Sequence, residues 1–273
     1  MPELPEAENI ARALASALQD RVITAVAVFS PRLRTPLAPL LSAHLEGERI
    51  CAVRRRGRYV IVELSSRRGL LLHFGMSGVV RVEKADAPRR RHEHAIFTLD
   101  NGQALRFEDP RRFGLLECVP LDAGGLPPCL DKLGVEPLSD EFDADFIFNA
   151  SRSRHAPVKL FITDNAVVTG IGNIYAAESL FAAGVDPRRP ALSLTRTECQ
   201  KLAAAVKDIL LRSIAAGGST ISDYRHVDGT EGRFAQELQI YGRRGEKCPR
   251  CGTPVESVVQ GGRSSFFCPR CQR

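Results

Sequence analysis

The sequence predicts a multidomain α+β protein with a β-rich first half, a helical middle and a small metal-stapled module at its end. Three observations carry this. Short β-type runs crowd residues 22–119. Helical periodicity takes over beyond a Pro- and Gly-rich stretch at 120–128. Two Cys-x-x-Cys pairs close the chain.

The first element reads as a helix. Pro5 suits its first turn, where a missing N–H costs nothing. Ile10, Leu14 and Leu18 then repeat on one apolar face. Candidate strands follow at 22–29, 50–55, 59–64, 70–74, 95–99, 104–107 and 115–119, separated by turn signals such as Asp100-Asn101-Gly102. Strands this short and closely spaced suggest a sandwich or a barrel-like domain. In the helical part, 159–163 and 174–183 read as short helices, the second stopped at Gly184. The longest helix spans 198–215. Leu202, Val206, Ile209 and Leu210 share one side of it, and Gly217-Gly218 ends it. The polar, glycine-punctuated stretch 219–232 reads as a loop, and a separate small module begins at Gly242. No long-period repeat interrupts this order.

At 273 residues and 44% hydrophobic, the chain can build real cores. Its net charge is +6, with a pI near 9.0. The distribution is more telling than the sum. From Arg243 to Arg273 there are seven Lys/Arg against Glu246 and Glu256, so about five of the six net charges sit in that end. Such a balance suits a polyanionic partner. The start, Met1 to Glu6, is acidic and has no apolar segment, and no stretch resembles a membrane span, so a soluble, cytoplasmic protein is expected. Eight cysteines in that setting point to metal or buried thiols before disulfides. Cys51, Cys118 and Cys199 fall in apolar runs and are expected to be buried.

Cys248-Pro249-Arg250-Cys251 and Cys268-Pro269-Arg270-Cys271 are separated by sixteen residues, the spacing of a four-thiolate zinc site on two knuckles. A segment this small buries little core, so one structural Zn2+ would supply its folding free energy. Two disulfides or free thiols are the bland alternative. Zinc ribbons serve many functions. The surrounding arginines lean this one toward nucleic acid, with Arg263 between the knuckles placed to enter a groove.

Pro2 is small enough for Met1 to be trimmed. That exposes a secondary amine beside Glu3 and Glu6. An α-amine has a pKa of roughly 8, so a useful fraction is a free nucleophile at neutral pH. Attack on a sugar C1′ gives an iminium, and a neighbouring carboxylic acid can protonate the opening ring. Taken alone, this start is only a polar terminus.

Over its whole length the chain resembles the formamidopyrimidine-DNA glycosylase family, also related to endonuclease VIII. The resemblance runs through Met1-Pro2-Glu3-Leu4-Pro5-Glu6-Ala7-Glu8, His73-Phe74-Gly75-Met76-Ser77-Gly78 and Asp109-Pro110-Arg111-Arg112-Phe113-Gly114. It continues through Gly170 to Leu180, Phe234 to Leu238, Tyr241-Gly242 and the cysteine module. It implies an N-terminal β-sandwich catalytic domain (1–125), a helix-two-turn-helix domain (126–236) with a lesion-covering loop at 217–234, and a zinc-finger hairpin (237–273). The implied activity is base-excision repair on double-stranded DNA carrying an oxidised base or abasic site. Oxidised purines would leave through a Schiff base on Pro2, with β/δ-elimination of the abasic strand, by a monomer.

By motif, Pro2 matches the nucleophile, Glu3 the acid and Glu6 a support of the lesion pocket. Met76, Arg111 and Phe113 match the side chains that fill the space a turned-out nucleotide leaves, a role suited to a wedge and a base-pairing guanidinium. Asn173 and Arg263 match phosphate holders. Lys159, His73 and His94 add phosphate or pocket contacts. For a lone Met or Phe, core packing would be the simpler reading.

Two positions depart from the family pattern. Arg58 stands where a lysine is usual; it keeps the charge, but with a pKa above roughly 12 it does not readily give up a proton. Ser222 replaces a common cationic residue in the loop over the flipped base. Both changes leave Pro2 and Glu3 intact, so weaker excision of 8-oxoguanine is expected beside surviving formamidopyrimidine chemistry. The rival readings are a non-catalytic or altered-specificity binder of damaged or abasic DNA and, further off, a zinc-ribbon transcription or translation factor.

Overall fold

The computed structural model describes residues 2–37, 41–219, 227, 230 and 232–273. The chain forms two compact units, Met1–Asp131 with Ala216–Ala235, and Lys132–Ala215 with Gln236–Arg273.

The first unit runs α1 (Leu4–Leu18), β1 (Ile23–Val28), α2 (Leu41–Leu45), β2 (Ile50–Arg56), β3 (Tyr59–Leu64), β4 (Arg68–His73), β5 (Val79–Lys84), β6 (Glu93–Leu99), β7 (Gln103–Glu108) and β8 (Leu115–Pro120). The strands form two antiparallel four-stranded sheets, β1-β6-β7-β5 and β2-β3-β4-β8. One apolar core joins them: Val60, Val62, Leu70 and Leu72 from one sheet and Val80, Phe97, Leu105 and Phe107 from the other, closed by Ile10, Leu14 and Leu18 of α1. The predicted sandwich is therefore present, with the N-terminal helix buried along its apolar face.

Three details differ from the expectation. β5 escaped notice because Arg81, Glu83 and Lys84 interrupt its valines. Alternation still turns Val80 into the core. α2 was also unmarked. Cys51, expected inside, is exposed. The β2–β3 register shifts between Ile50 and Ala52, so Ile50 enters the core and the next side chain points outward. Cys199 is buried as expected, and Cys118 is partly so.

The second unit holds α3 (Ala144–Ser151), α4 (Val158–Thr163), α5 (Asn173–Ala183), α6 (Arg196–Ala215), β9 (Glu256–Gln260) and β10 (Arg263–Phe267). α3 had no periodic signature of useful length; Asp143 caps it by accepting from the Phe146 N–H at 2.7 Å. α5 and α3 both pack on α6. β9 and β10 form an antiparallel hairpin turned by Gly261-Gly262, both at positive φ, which a two-residue hairpin turn needs. Among the described residues, no helix is long and apolar enough to cross a membrane.

Candidate functional site

Pro2 and Glu3 lie buried at the N-terminus of α1. Glu3 is the N-cap residue and shares a capping box with Glu6. One Glu6 oxygen accepts from the Glu3 N–H at 2.9 Å, the other from the Ser219 N–H at 2.8 Å. A single 2%-exposed carboxylate thus ties the residue after Pro2 to the start of the 219–232 segment. Burying an acid this deeply is tolerable because backbone donors meet both oxygens. Met1 and Ser222 lie outside the described residues.

Arg58 sits at the β2–β3 turn and is buried. His73 ends β4 and lies against Tyr59, the ring centroids 4.8 Å apart and the planes tilted by 47°. Its Nδ1 accepts from the Gly75 N–H at 3.1 Å, which leaves Nε2 as the protonated nitrogen of the neutral ring. Burial first, then the positive charges of Arg34 and Arg58, hold the His73 pKa down to about 4. The ring is neutral at physiological pH.

Two loops carry the three residues expected to form the wedge. Residues 74–78 connect β4 to β5, and 109–114 connect β7 to β8. Met76 is 41% exposed and Phe113 49%, too open for either to be a core residue. Arg111 is exposed and lies over the Phe113 ring, 5.0 Å from its centroid. Asp109, quoted in the motif but given no part, is fully buried. Its Oδ1 accepts from Ser77 Oγ (2.6 Å) and the Arg111 N–H (3.3 Å), and its Oδ2 from the Gly114 N–H (2.7 Å).

His94 requires a correction. It is 3% exposed, with Nδ1 2.7 Å from Ser30 Oγ and Nε2 2.9 Å from the Asp109 carbonyl. Both ring nitrogens are committed inside the unit, so His94 braces the loop and offers no nitrogen to DNA. Sequence alone gave no sign of this, because both partners are distant in the chain.

In the second unit, Asn173 opens α5 and its Nδ2 donates to the Ser264 carbonyl at 3.1 Å. Lys159 is 2% exposed; its Nζ donates to the same carbonyl (3.1 Å) and to Ser265 Oγ (2.5 Å). Both residues therefore grip β10, whose first residue, Arg263, is exposed beside the glycine turn. Glu178, inside the quoted Gly170–Leu180 segment but given no part, is 4% exposed and accepts from the N–H groups of Gln239, Ile240 and Tyr241 at 2.8–2.9 Å.

Cys248, Cys251, Cys268 and Cys271 bring their sulfurs within 4.8 Å of one another. The contacts Cys248–Cys271 and Cys251–Cys268 measure 3.9 and 3.4 Å. Four thiolates about 2.3 Å from a tetrahedral zinc would be roughly 3.8 Å apart, so the cluster can hold such an ion. Hydrogen bonds from Thr253 hold Cys251 down to about 6, while burial and the neighbouring thiols push Cys271 up to about 12.

The family models agree with these parts. The formamidopyrimidine-DNA glycosylase N-terminal domain matches 1–116, the formamidopyrimidine-DNA glycosylase H2TH domain 133–225, and a zinc finger found in FPG and IleRS 245–273. A formamidopyrimidine-DNA glycosylase of Laribacter hongkongensis is 50% identical over the full length of both chains. A Lactococcus lactis FPG mutant in complex with a Fapy-dG containing DNA superposes with a TM-score of 0.91 at 33% identity, covering 100% of each chain. The Thermus thermophilus FPG protein gives 0.87 at 39% identity, covering 99% of this chain and 98% of its own. With all three domain models matched in order and half of all residues shared with a full-length relative, this chain belongs to the formamidopyrimidine-DNA glycosylase family.

Proposed function

We propose that this chain excises oxidised purines, formamidopyrimidines above all, from duplex DNA and then cuts the abasic strand. The observation that carries the reading is the buried Pro2–Glu3 pair at the N-terminus of α1, in a chain whose relatives include an FPG solved on Fapy-dG containing DNA and one on DNA containing an abasic site. Once Met1 is removed, the Pro2 nitrogen attacks C1′ and the base leaves with the glycosidic electron pair and a proton. Glu3 protonates O4′ as the sugar ring opens, which leaves an iminium on Pro2. The iminium accepts the electrons released when a C2′ proton is lost, so the 3′ phosphate departs. A second elimination expels the 5′ phosphate.

The other parts take supporting roles. Glu6 holds the N-terminus of α1 and the start of the 219–232 segment. Met76, Arg111 and Phe113 occupy the space a turned-out nucleotide vacates, and their exposure supports this. Asn173 and Arg263 hold phosphates. Lys159 fixes β10 beneath them, as its buried ammonium suggests. His73 offers a neutral N–H donor beside Arg58. Cys248, Cys251, Cys268 and Cys271 would hold one structural Zn2+, which would supply folding free energy to the hairpin module and no chemistry. Zinc-free protein would have to find another partner for four crowded thiols.

The test is a lesion panel with borohydride trapping. Borohydride reduces the iminium to a stable amine, so the enzyme reading expects a covalent protein–DNA adduct on abasic DNA. The adduct should vanish when Met1 is retained or the N-terminal amine is blocked. Glu3→Gln should slow excision by about 10²–10⁴. A protein that binds abasic DNA yet forms no adduct under any condition is the non-catalytic binder instead.

A further inference from the structure

We infer that the buried carboxylate of Asp109 locks the 74–78 and 109–114 loops into one preformed wedge, making Asp109 a positioning residue for extrusion of the damaged nucleotide. The inference deepens the proposed function and rests on its assignment of Met76, Arg111 and Phe113 to the vacated space.

The two loops are neighbours by topology. β4 pairs with β8 so that His73 faces Leu115, and β5 pairs with β7 so that Val79 faces Glu108. Each loop therefore leaves one sheet and enters the other at the same place. Register alone brings the loops side by side, but it leaves their tips undetermined.

Asp109 supplies the missing constraint. Its own backbone is pinned: the N–H donates to the His92 carbonyl at 3.0 Å, and its carbonyl lies 2.9 Å from His94 Nε2. From that fixed point the carboxylate reaches both loops. Ser77, held through its hydroxyl, follows Met76. The Arg111 N–H and the Gly114 N–H bracket Phe113 on the other loop. Ser77 Oγ also accepts from the Arg111 N–H at 3.2 Å, so the loops touch directly as well.

Close packing reinforces the lock. Gly75 adopts φ +54, and a Cβ there would meet the Phe113 carbonyl carbon and oxygen at 2.5 Å. The loop before Met76 thus lies directly on the backbone of Phe113. A wedge must keep its shape while it pushes on a stacked base. Two separately hinged tips would yield instead, and the cost of ordering them would then fall on the flipping step. A fully buried carboxylate is expensive to keep unless its acceptors are used. Here every identified partner is a donor from one of the two loops. Asp109 itself lies 0% exposed, so it touches neither base nor phosphate.

Asp109→Asn tests this because it keeps the size and removes an acceptor. With Oδ1 still facing Ser77 and Arg111, the amide Nδ2 faces the Gly114 N–H, donor against donor. Ser77→Ala removes one leg of the lock and serves as a milder second variant. Phe113→Ala reports on the wedge itself. The readouts are excision of a formamidopyrimidine lesion under saturating conditions, and fluorescence of 2-aminopurine placed beside an uncleavable tetrahydrofuran abasic analogue, which brightens when a wedge unstacks it.

Asp109→Asn is expected to cut kcat for excision at least tenfold and the 2-aminopurine rise at least threefold, with KM changed less than threefold. Ser77→Ala should fall between it and wild type. The three variants and wild type are compared at matched folded fraction by circular dichroism. If Phe113→Ala loses the fluorescence rise while Asp109→Asn and Ser77→Ala keep it, the lock is wrong and the wedge stands. If Phe113→Ala also behaves as wild type, the wedge assignment itself falls. If the losses in Asp109→Asn follow only its unfolded fraction, Asp109 is merely structural and the inference is overturned.

Discussion

Arg58 and His73 show how one residue's chemistry depends on its surroundings. Arg58 is a buried permanent cation; burial first, then Arg34 and Arg58, hold His73 neutral down to about pH 4. The sign of the resulting stability effect is fixed. A histidine with a depressed folded-state pKa stabilises the fold fully above its unfolded value of roughly 6.5, and that stability is lost as pH falls toward 4. The contribution is at most about 3 kcal/mol. Replacing His73 with Asn should therefore flatten the acid limb of a thermal-stability profile between pH 6.5 and 4; an unchanged limb would show that His73 does not titrate in that window. Arg58 is also proposed to bear on specificity. Arg58→Lys restores a side chain able to pass a proton, and excision of 8-oxoguanine should then rise relative to wild type in a single-turnover assay. If the lysine brings no gain, Arg58 is not what limits that lesion. The departure at Ser222 lies outside the described residues, so its effect is a matter for the same lesion panel.

At the scale of elements, the small hairpin module depends on two separate ties. The first is the cysteine cluster. A module whose main apolar group is Ile240, Val255 and the cysteines, joined to Ala177 and Phe181, has little core of its own. Structural zinc in small fingers contributes an apparent ~10–16 kcal/mol. Chelation, or Cys248→Ser, should abolish amide protection in β9 and β10 while α6 keeps its protection in the same hydrogen-exchange experiment. The second tie is Glu178, which receives three consecutive backbone N–H groups at 239–241. Its loss leaves three donors short of an acceptor. Glu178→Gln should cost about 2–4 kcal/mol in denaturant unfolding, since hydrogen bonds to a charged group are worth ~1.5–3 kcal/mol each and glutamine replaces only part of them. Arg250 adds a third, smaller contact by capping the end of α5 through the Phe181 carbonyl at 2.9 Å.

For the whole molecule, the proposed function divides the work between the basic C-terminal end and the acidic start. On that proposal, phosphate binding falls to the cationic side chains and sugar chemistry to Pro2. A polyelectrolyte partner makes this separable by salt. Binding to duplex DNA should weaken log-linearly with salt, and Arg263→Ala should reduce the slope by about one if Arg263 holds a single phosphate. Pro2→Gly should leave that slope as it is. A slope that ignores Arg263 would place the contact elsewhere.

Sequence by itself determined the order of parts. Short β-type runs marked seven of the eight strands of the sandwich, and helical patterns marked α1, α4, α5 and α6, because those signals are local and follow from backbone geometry. The Cys-x-x-Cys spacing determined the four-cysteine cluster, and the position of Pro2 determined where a free secondary amine can arise. Only the tertiary structure decided which polar side chains face inward and what they hold. His94 turned inward while Met76 and Phe113 turned out, against the grain of their polarity. Ser77 met Asp109 across 32 residues because β4–β8 and β5–β7 register brings their loops together, and Glu178 met residues 239–241 across more than 60. Such pairings depend on strand register and helix packing summed over the chain, and no local pattern encodes them.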